Sequence, residues 1–213
     1  SIKFPSFGIN FTGNLSKDLV ITVPRDWACD TLEIDCASAT VNAQDLTIRE
    51  VDFDGASGTC SFENCHVDEL DLDTASGDVV FSGTLNALDC DAASANCEIT
   101  VSNVPQRFDI DTASGDIRFT GKLSSLDCDA ASANIQLELN NVPTALELDS
   151  ASGDLDVVLP EDAGFTVTMD TMSGNFESDY ETTVRNGSHV AGNGRCRIEV
   201  DAMSSDVTVR KGA

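Results

Sequence analysis

A tripeptide of small residues centred on serine recurs along this chain and constrains its fold more than any other feature. The first eight copies are separated by 18 to 21 residues, and the last follows after 31. The serines are Ser38, Ser57, Ser76, Ser94, Ser114, Ser132, Ser152, Ser173 and Ser204. A unit this short cannot bury an apolar face alone, so its repetition predicts stacked copies that share one core.

Aligned on the serine, the nine copies share columns that alternate with period two. The positions six and four residues before the serine are apolar, as in Leu70 and Leu72. The position between them is acidic in eight of nine copies, with Thr168 the exception, and the position three before the serine is always Asp. A second apolar alternation starts three residues after the serine. Each copy therefore encodes two strands, each with a buried and a wet face, joined by a tight turn.

These columns predict an all-β fold, a single-stranded parallel β-helix (β-solenoid) with about nine rungs of about 19 residues and two flattened sheets. A 38-residue coil with four strands is the alternative, because Ala-Ser-Gly and Ala-Ser-Ala copies alternate. We prefer 19, since every column repeats at that interval. Residues 1–30 are expected to form an amino-terminal cap. Residues 31–213 complete a single domain, with a polar, Gly-rich insertion at 179–194 expected as a surface loop.

Charge excludes some partners. The chain has 37 acidic against 12 basic residues and a net charge of −25, so nucleic acid is not an expected partner. No apolar run is long enough to insert into a membrane. Seventeen of the acids fall in the two acidic columns of one sheet face. Like charges on neighbouring strands repel by about 0.9 kcal/mol per pair in bulk water at about 4.8 Å, so something must offset them.

Two explanations are open for these columns. The strict Asp column could accept hydrogen bonds from backbone N–H groups of the adjoining turn, as in an Asx turn. Alternatively, weakly bound Ca²⁺ could lie between carboxylates of adjacent rungs, since its oxygen coordination is flexible. No other cofactor is expected. The predicted calcium-binding residues are Asp71, Asp73, Asp89, Asp91, Asp109, Asp111, Asp127 and Asp129.

The eight cysteines do not form an obvious disulfide framework. Cys90 and Cys128 share one inward column, and Cys60 and Cys97 share another, where other copies have Val, Ile or Leu. Buried free thiols behave as small hydrophobic residues. Members of one column lie two rungs apart, about 9.6 Å, which is too far to bridge. Only Cys90 and Cys97, which flank the same turn, form a reasonable pair.

Three sets of residues are distinctive beyond the columns: the Asp-Thr-Ala-Ser-Gly-Asp copies at 73–78 and 111–116, the segment Leu19-Val-Ile-Thr-Val-Pro24, and motifs of the tail. The tail motifs are Leu159-Pro-Glu-Asp-Ala-Gly-Phe165 and Gly192-Asn-Gly-Arg-Cys-Arg-Ile-Glu-Val200. In these residues the chain resembles a known family, the bacterial adhesin domains of unknown function with a β-helical fold. The resemblance implies the β-helical fold and a surface or envelope association, and it carries no catalytic residues.

We therefore expect a non-enzymatic binding scaffold with an unidentified protein or glycan partner. Its location is expected at the cell surface or in the envelope, with any anchor or signal absent from this chain and the cytoplasm left open. The alternative is a carbohydrate-active, polysaccharide-degrading β-helix enzyme, because paired carboxylates perform glycoside hydrolysis. The acids repeat in every rung, however, and no pair is singled out.

Overall fold

The structure is a computed structural model, and it describes residues 20–24 and 27–212. Most of the expected cap at 1–30 therefore lies outside the described residues. The strands are β1 (Ala28–Cys36), β2 (Val41–Gln44), β3 (Thr47–Gly55), β4 (Cys60–Val101), β5 (Arg107–Ser114), β6 (Ile117–Gly121), β7 (Ser125–Ser132), β8 (Ile135–Leu139), β9 (Ala145–Ser152), β10 (Leu155–Leu159), β11 (Phe165–Ser173), β12 (Phe176–Ser178), β13 (Thr182–Arg185), β14 (Ser188–Ala191), β15 (Cys196–Ser204) and β16 (Val207–Lys211). No helix long and apolar enough to cross a membrane occurs in these ranges.

The predicted parallel β-solenoid is confirmed. Leu32 pairs with Val51, Leu88 with Phe108, and Ile110 with Cys128, so neighbouring coils are 18 to 20 residues apart in sequence. This register selects the 19-residue coil over the 38-residue one. The long element β4 is one extended segment that passes through the corners of successive coils, and it pairs with β2, β3, β5 and β6.

The last two coils are not stacked in chain order. In the first sheet the strands run β5, β7, β9, β15, β11, and in the second they run β6, β8, β10, β16, β12. The ninth copy of the repeat, β15 with β16, therefore lies between the seventh and eighth copies. Chain order holds only up to β10.

The segment 179–194, expected as a surface loop, contains the antiparallel hairpin β13–β14. Strand β14 also pairs antiparallel with β11, where Val167 lies opposite His189. The His189 ring packs against Phe176, with ring centroids 4.4 Å apart and the ring planes tilted by 35°. The hairpin thus covers the edge of the first sheet, which would otherwise expose unpaired backbone groups.

The core is built from the apolar columns. The rings of Phe62, Phe81, Phe108 and Phe119 are almost completely buried, and Phe108 meets Phe119 edge to face at 5.2 Å. Leu85 and Leu123 each lie between the second strand of one coil and the first strand of the next, and neither is accessible to solvent. Both cysteine columns point inward, as predicted, and all eight cysteines are free thiols.

Candidate functional site

The two acidic columns form two parallel rows on the outer face of the first sheet. We call the column three residues before each serine the Asp row and the other the mixed row. Adjacent coils pair them in register, for example Asp52 with Asp71 in the mixed row and Asp111 with Asp129 in the Asp row. The Asp row comprises Asp35, Asp54, Asp73, Asp91, Asp111, Asp129, Asp149, Asp201 and Asp170 in spatial order.

The Asx-turn explanation of the Asp row is wrong. All nine side chains lie in the described part of the chain, and none of them accepts a hydrogen bond from the backbone of the turn. The reason is geometric, because β5, β7 and β9 continue past the Asp row as far as the serine of the tripeptide and hold the Asp side chains outward. The hydroxyl one residue further on bonds the turn instead. Thr74, Thr112 and Ser150 donate to the carbonyl two residues ahead at 2.9–3.2 Å.

The corner after the serine is held by a ladder of Asp and Asn side chains that the sequence reasoning missed. Asn96 donates its Nδ2 to Asp78 Oδ1 at 2.9 Å, and its Oδ1 accepts the backbone N–H of Asp116 at 3.1 Å. Asn134 repeats both bonds between Asp116 and Asp154. The ladder continues to Asp206 and ends at Asn175, whose Nδ2 donates to Asp206. The signal was present, since the position two after the serine is Asp or Asn in seven of nine copies.

An open groove runs along the Asp row. It has a volume of about 980 Å³ and crosses six coils, with carboxylates on one side and methyl groups on the other. Its walls are formed by Asp54, Asp73, Asp91, Asp111, Asp129 and Asp149 and by Ala56, Ala75, Ala93, Ala113, Ala131 and Ala151.

Two exposed methionines continue the alanine side of the groove. Strand pairing puts Met203 beside Ala151 and Met172 beside Met203. Met203 is 61% and Met172 is 85% exposed, in a protein whose other large apolar side chains are mostly buried. Sequence reasoning missed this pair, although methionine replaces alanine at these two copies. The groove therefore ends on an exposed apolar surface.

Electrostatics distinguish the two rows. Arg107 bridges Asp89 at 2.5 Å and Asp109 at 3.1 Å, and Arg197 contacts Glu147 and Glu199, all four in the mixed row. Within residues 20–24 and 27–212, no basic side chain pairs with the Asp row. Partial burial, followed by repulsion from neighbouring carboxylates, raises the pKa of Asp73, Asp111 and Asp149. The Asp row therefore carries uncompensated negative charge.

The eight residues predicted to bind calcium all lie on these rows. The pairing brings them into lines of neighbours and not into a cluster. Across the described part of the chain, no three Asp, Glu, His or Cys side chains converge as metal ligands would. Weak Ca²⁺ binding along the rows stays a prediction.

A second concavity, of about 430 Å³, lies on the second sheet. Gln136, Asp156, Thr208 and Glu177 line it on successive strands, and Arg210 Nη1 lies 3.0 Å from Asp156 Oδ2. Asp156 Oδ1 is buried without a hydrogen-bond partner. These polar side chains do not repeat from coil to coil, so the concavity differs in kind from the groove.

The coil geometry and the acidic groove can be compared with known proteins. A family model described as Toastrack DUF4097, a family of unknown function, matches residues 3–210. The chain belongs to the Toastrack family. No curated protein and no solved structure matches the chain. The family match confirms the β-helical family expected from the resemblance, and the adhesin role is not part of what it shows.

Proposed function

We propose that this Toastrack domain is a non-enzymatic binding scaffold of the cell surface or envelope, and that its groove binds an extended cationic chain, such as a basic segment of a partner protein. The groove carries this proposal. It presents six in-register carboxylates without a basic partner, next to a continuous row of methyl groups. A partner that supplies positive charge and apolar contact would fit both walls.

Electrostatic relief supports a cationic ligand. Neighbouring carboxylates in the Asp row repel by about 0.9 kcal/mol per pair in bulk water at about 4.8 Å, before salt screening. The raised pKa values of Asp73 and Asp111 reflect burial and this repulsion. A ligand cation between two carboxylates would replace repulsion with attraction. Binding should therefore weaken steeply as ionic strength rises.

The coil spacing favours a particular ligand conformation. Two coils span about 9.6 Å along the solenoid axis. In a polyproline II segment, three residues span about 9.3 Å, so every third side chain meets every second carboxylate. On one face of an extended β-strand the side chains repeat about every 6.8 Å, which matches neither one coil spacing nor two. A polyproline II segment with Lys or Arg at every third position therefore matches the row best.

The methionine end adds an apolar contact. Met172 and Met203 are flexible, polarisable side chains suited to adaptable binding surfaces. Exposed apolar side chains grouped beside a groove commonly mark an interaction site. The bound chain would carry an apolar residue at this end, after its basic stretch.

Peptide titration tests the groove. A peptide of repeated Lys-Pro-Pro units should bind, as measured by calorimetry, more tightly than a peptide of equal composition with its lysines paired. The triple variant Asp91→Asn, Asp111→Asn, Asp129→Asn should lose binding. The matched control, Glu98→Gln, Glu138→Gln, Glu177→Gln, changes net charge equally but alters exposed acids of the second sheet.

The two comparisons separate the two parts of the idea. Equal affinity for both peptides would reject the polyproline II spacing while keeping the groove. Equal loss of binding in both triple variants would reject the groove, because only the net charge would then matter. For the surface location, protease treatment of intact cells should degrade the domain before a cytoplasmic marker protein.

The second concavity favours one rival function, the carbohydrate-active enzyme. Asp156 and Glu177 flank Thr208 on adjacent strands, about 9.6 Å apart by strand spacing, near the upper end of the separation used by inverting glycosidases. Incubation with neutral and acidic polysaccharides tests this. Release of reducing ends that Glu177→Gln abolishes would replace the scaffold with the enzyme.

A further inference from the structure

Two cysteines meet inside one coil, across the corner between its two strands. The Sγ atoms of Cys90 and Cys97 lie 3.9 Å apart. Cys90 is inaccessible to solvent and Cys97 is 3% exposed. Both belong to β4 and flank the tripeptide of Ser94, so no large sequence separation has to be closed to join them.

This juxtaposition occurs in one coil only. The same two inward positions hold Leu72 and Val79 in the coil before, and Ile110 and Ile117 in the coil after. Across all nine copies, no other coil has cysteine at both positions. The column neighbours of the pair, Cys128 and Cys60, are two coils away, about 9.6 Å, which is beyond the reach of a disulfide. The fold therefore gives each of these two thiols a single close thiol partner within its own coil.

We propose that Cys90 and Cys97 form an intra-coil disulfide when the domain folds in an oxidising environment, by exchange with a small-molecule disulfide such as oxidised glutathione. An S–S bond of about 2.05 Å requires the two sulfurs to approach by about 1.9 Å. The residues between them in sequence include four small side chains, Ala92 to Ala95. The site is independent of the proposed groove function.

The exchange with oxidised glutathione proceeds in two steps. The Cys97 thiolate attacks one sulfur of glutathione disulfide, which breaks that S–S bond and releases one glutathione. The Cys90 thiolate then attacks the Cys97 sulfur and releases the second glutathione. Two S–H bonds and one S–S bond are broken, one protein S–S bond forms, and both thiol protons end on the released glutathiones.

Refolding in a glutathione redox buffer tests the proposal, because both thiols are accessible before the core closes. After alkylation in denaturant, mass spectrometry should find six of the eight thiols free, and peptide mapping should find Cys90 linked to Cys97. Glutathione adducts on the more exposed Cys29 and Cys36 are distinguished by their added mass.

Two variants use side chains that other coils already carry at these positions. Cys97→Val should leave all seven remaining thiols free, whereas the matched control Cys128→Val should still lose two. Circular dichroism verifies that each variant is folded. Eight free thiols in the refolded wild type, or a link that maps to any other pair, would overturn the proposal.

Discussion

The Asp/Asn ladder predicts that a single-atom change, Asn134→Asp, destabilises the solenoid strongly although the residue is exposed. Asn134 Nδ2 donates to Asp116 Oδ1 at 3.0 Å, and its Oδ1 accepts the N–H of Asp154 at 3.2 Å. Aspartate keeps the acceptor, loses the donor, and inserts a charge between two existing carboxylates.

The magnitude follows from these contacts. A lost hydrogen bond to a charged group costs about 1.5–3 kcal/mol. Each of the two new like-charge neighbours adds about 0.9 kcal/mol in bulk water, and salt reduces this. The free energy of unfolding should fall by about 2–4 kcal/mol at pH 7. Most exposed substitutions change it by less than about 0.5 kcal/mol.

Urea unfolding followed by circular dichroism measures the effect. The control is Gln136→Glu, which makes the same chemical change on the outer face, where Gln136 Oε1 already accepts from Arg118 Nε at 3.2 Å and Nη2 at 2.7 Å. The carboxylate introduced by this control would form an ion pair with Arg118, so the free energy of unfolding should not change. If Asn134→Asp unfolds at the same urea concentration as Gln136→Glu, the ladder does not stabilise the corner.

Three further predictions concern charge, backbone and metal. Burial, followed by repulsion from neighbouring carboxylates, raises the pKa of five Asp side chains in the folded state, so the folded state binds protons more readily than the unfolded chain. The melting temperature should therefore rise as pH falls from 7 toward the unfolded Asp pKa of about 3.9. A steady fall in melting temperature between pH 7 and 5 would contradict this. The groups concerned are Asp71, Asp73, Asp111, Asp127 and Asp149. Gly115→Ala should prevent stable stacking of the coils, because the new Cβ would lie 1.9 Å from the Ala95 carbonyl oxygen. The control Gly187→Ala meets no atom within 4 Å and should lower the melting temperature less. An equal fall in melting temperature for both variants would be inconsistent with the close approach at Gly115. Added Ca²⁺ should raise the melting temperature and a chelator should reverse the rise, while an unchanged midpoint would reject the calcium sites.

Much of this fold follows from the sequence because each column has one physical meaning in every coil. An apolar residue at the position of Leu70 or Phe108 must face inward, and the Asp between the apolar positions must face water. The rows of acids were predictable for the same reason. The groove was not, because its depth depends on how the chain bends at the alanine column, and small side chains there are equally compatible with a flat surface.

The Asx turn was predicted wrongly for a related reason. An Asp beside a tight turn commonly bonds the turn backbone, but here the strands extend past the Asp to the serine of the tripeptide. The bonding role moves to Thr112 on one side of the serine and to Asp116 on the other. Local sequence preference could not reveal this, since pairing with the coils above and below determines where each strand ends.

The stacking order of the last coils could not be predicted from the columns, because every copy presents the same columns and can pack between any two others. The exceptions to the columns do indicate this order. Thr168 interrupts the mixed row, and in the structure its hydroxyl contacts Ser188 of the edge hairpin at 2.9 Å. Ser178 interrupts the second apolar alternation, and its hydroxyl accepts the Tyr180 N–H at 3.1 Å.

Both exceptions belong to β11–β12, the coil at the end of the stack. A terminal coil faces a cap on one side, so it loses the constraint that keeps the columns uniform. The eighth copy, which breaks the columns, is therefore the physical end of the solenoid, and the regular ninth copy has to lie inside it.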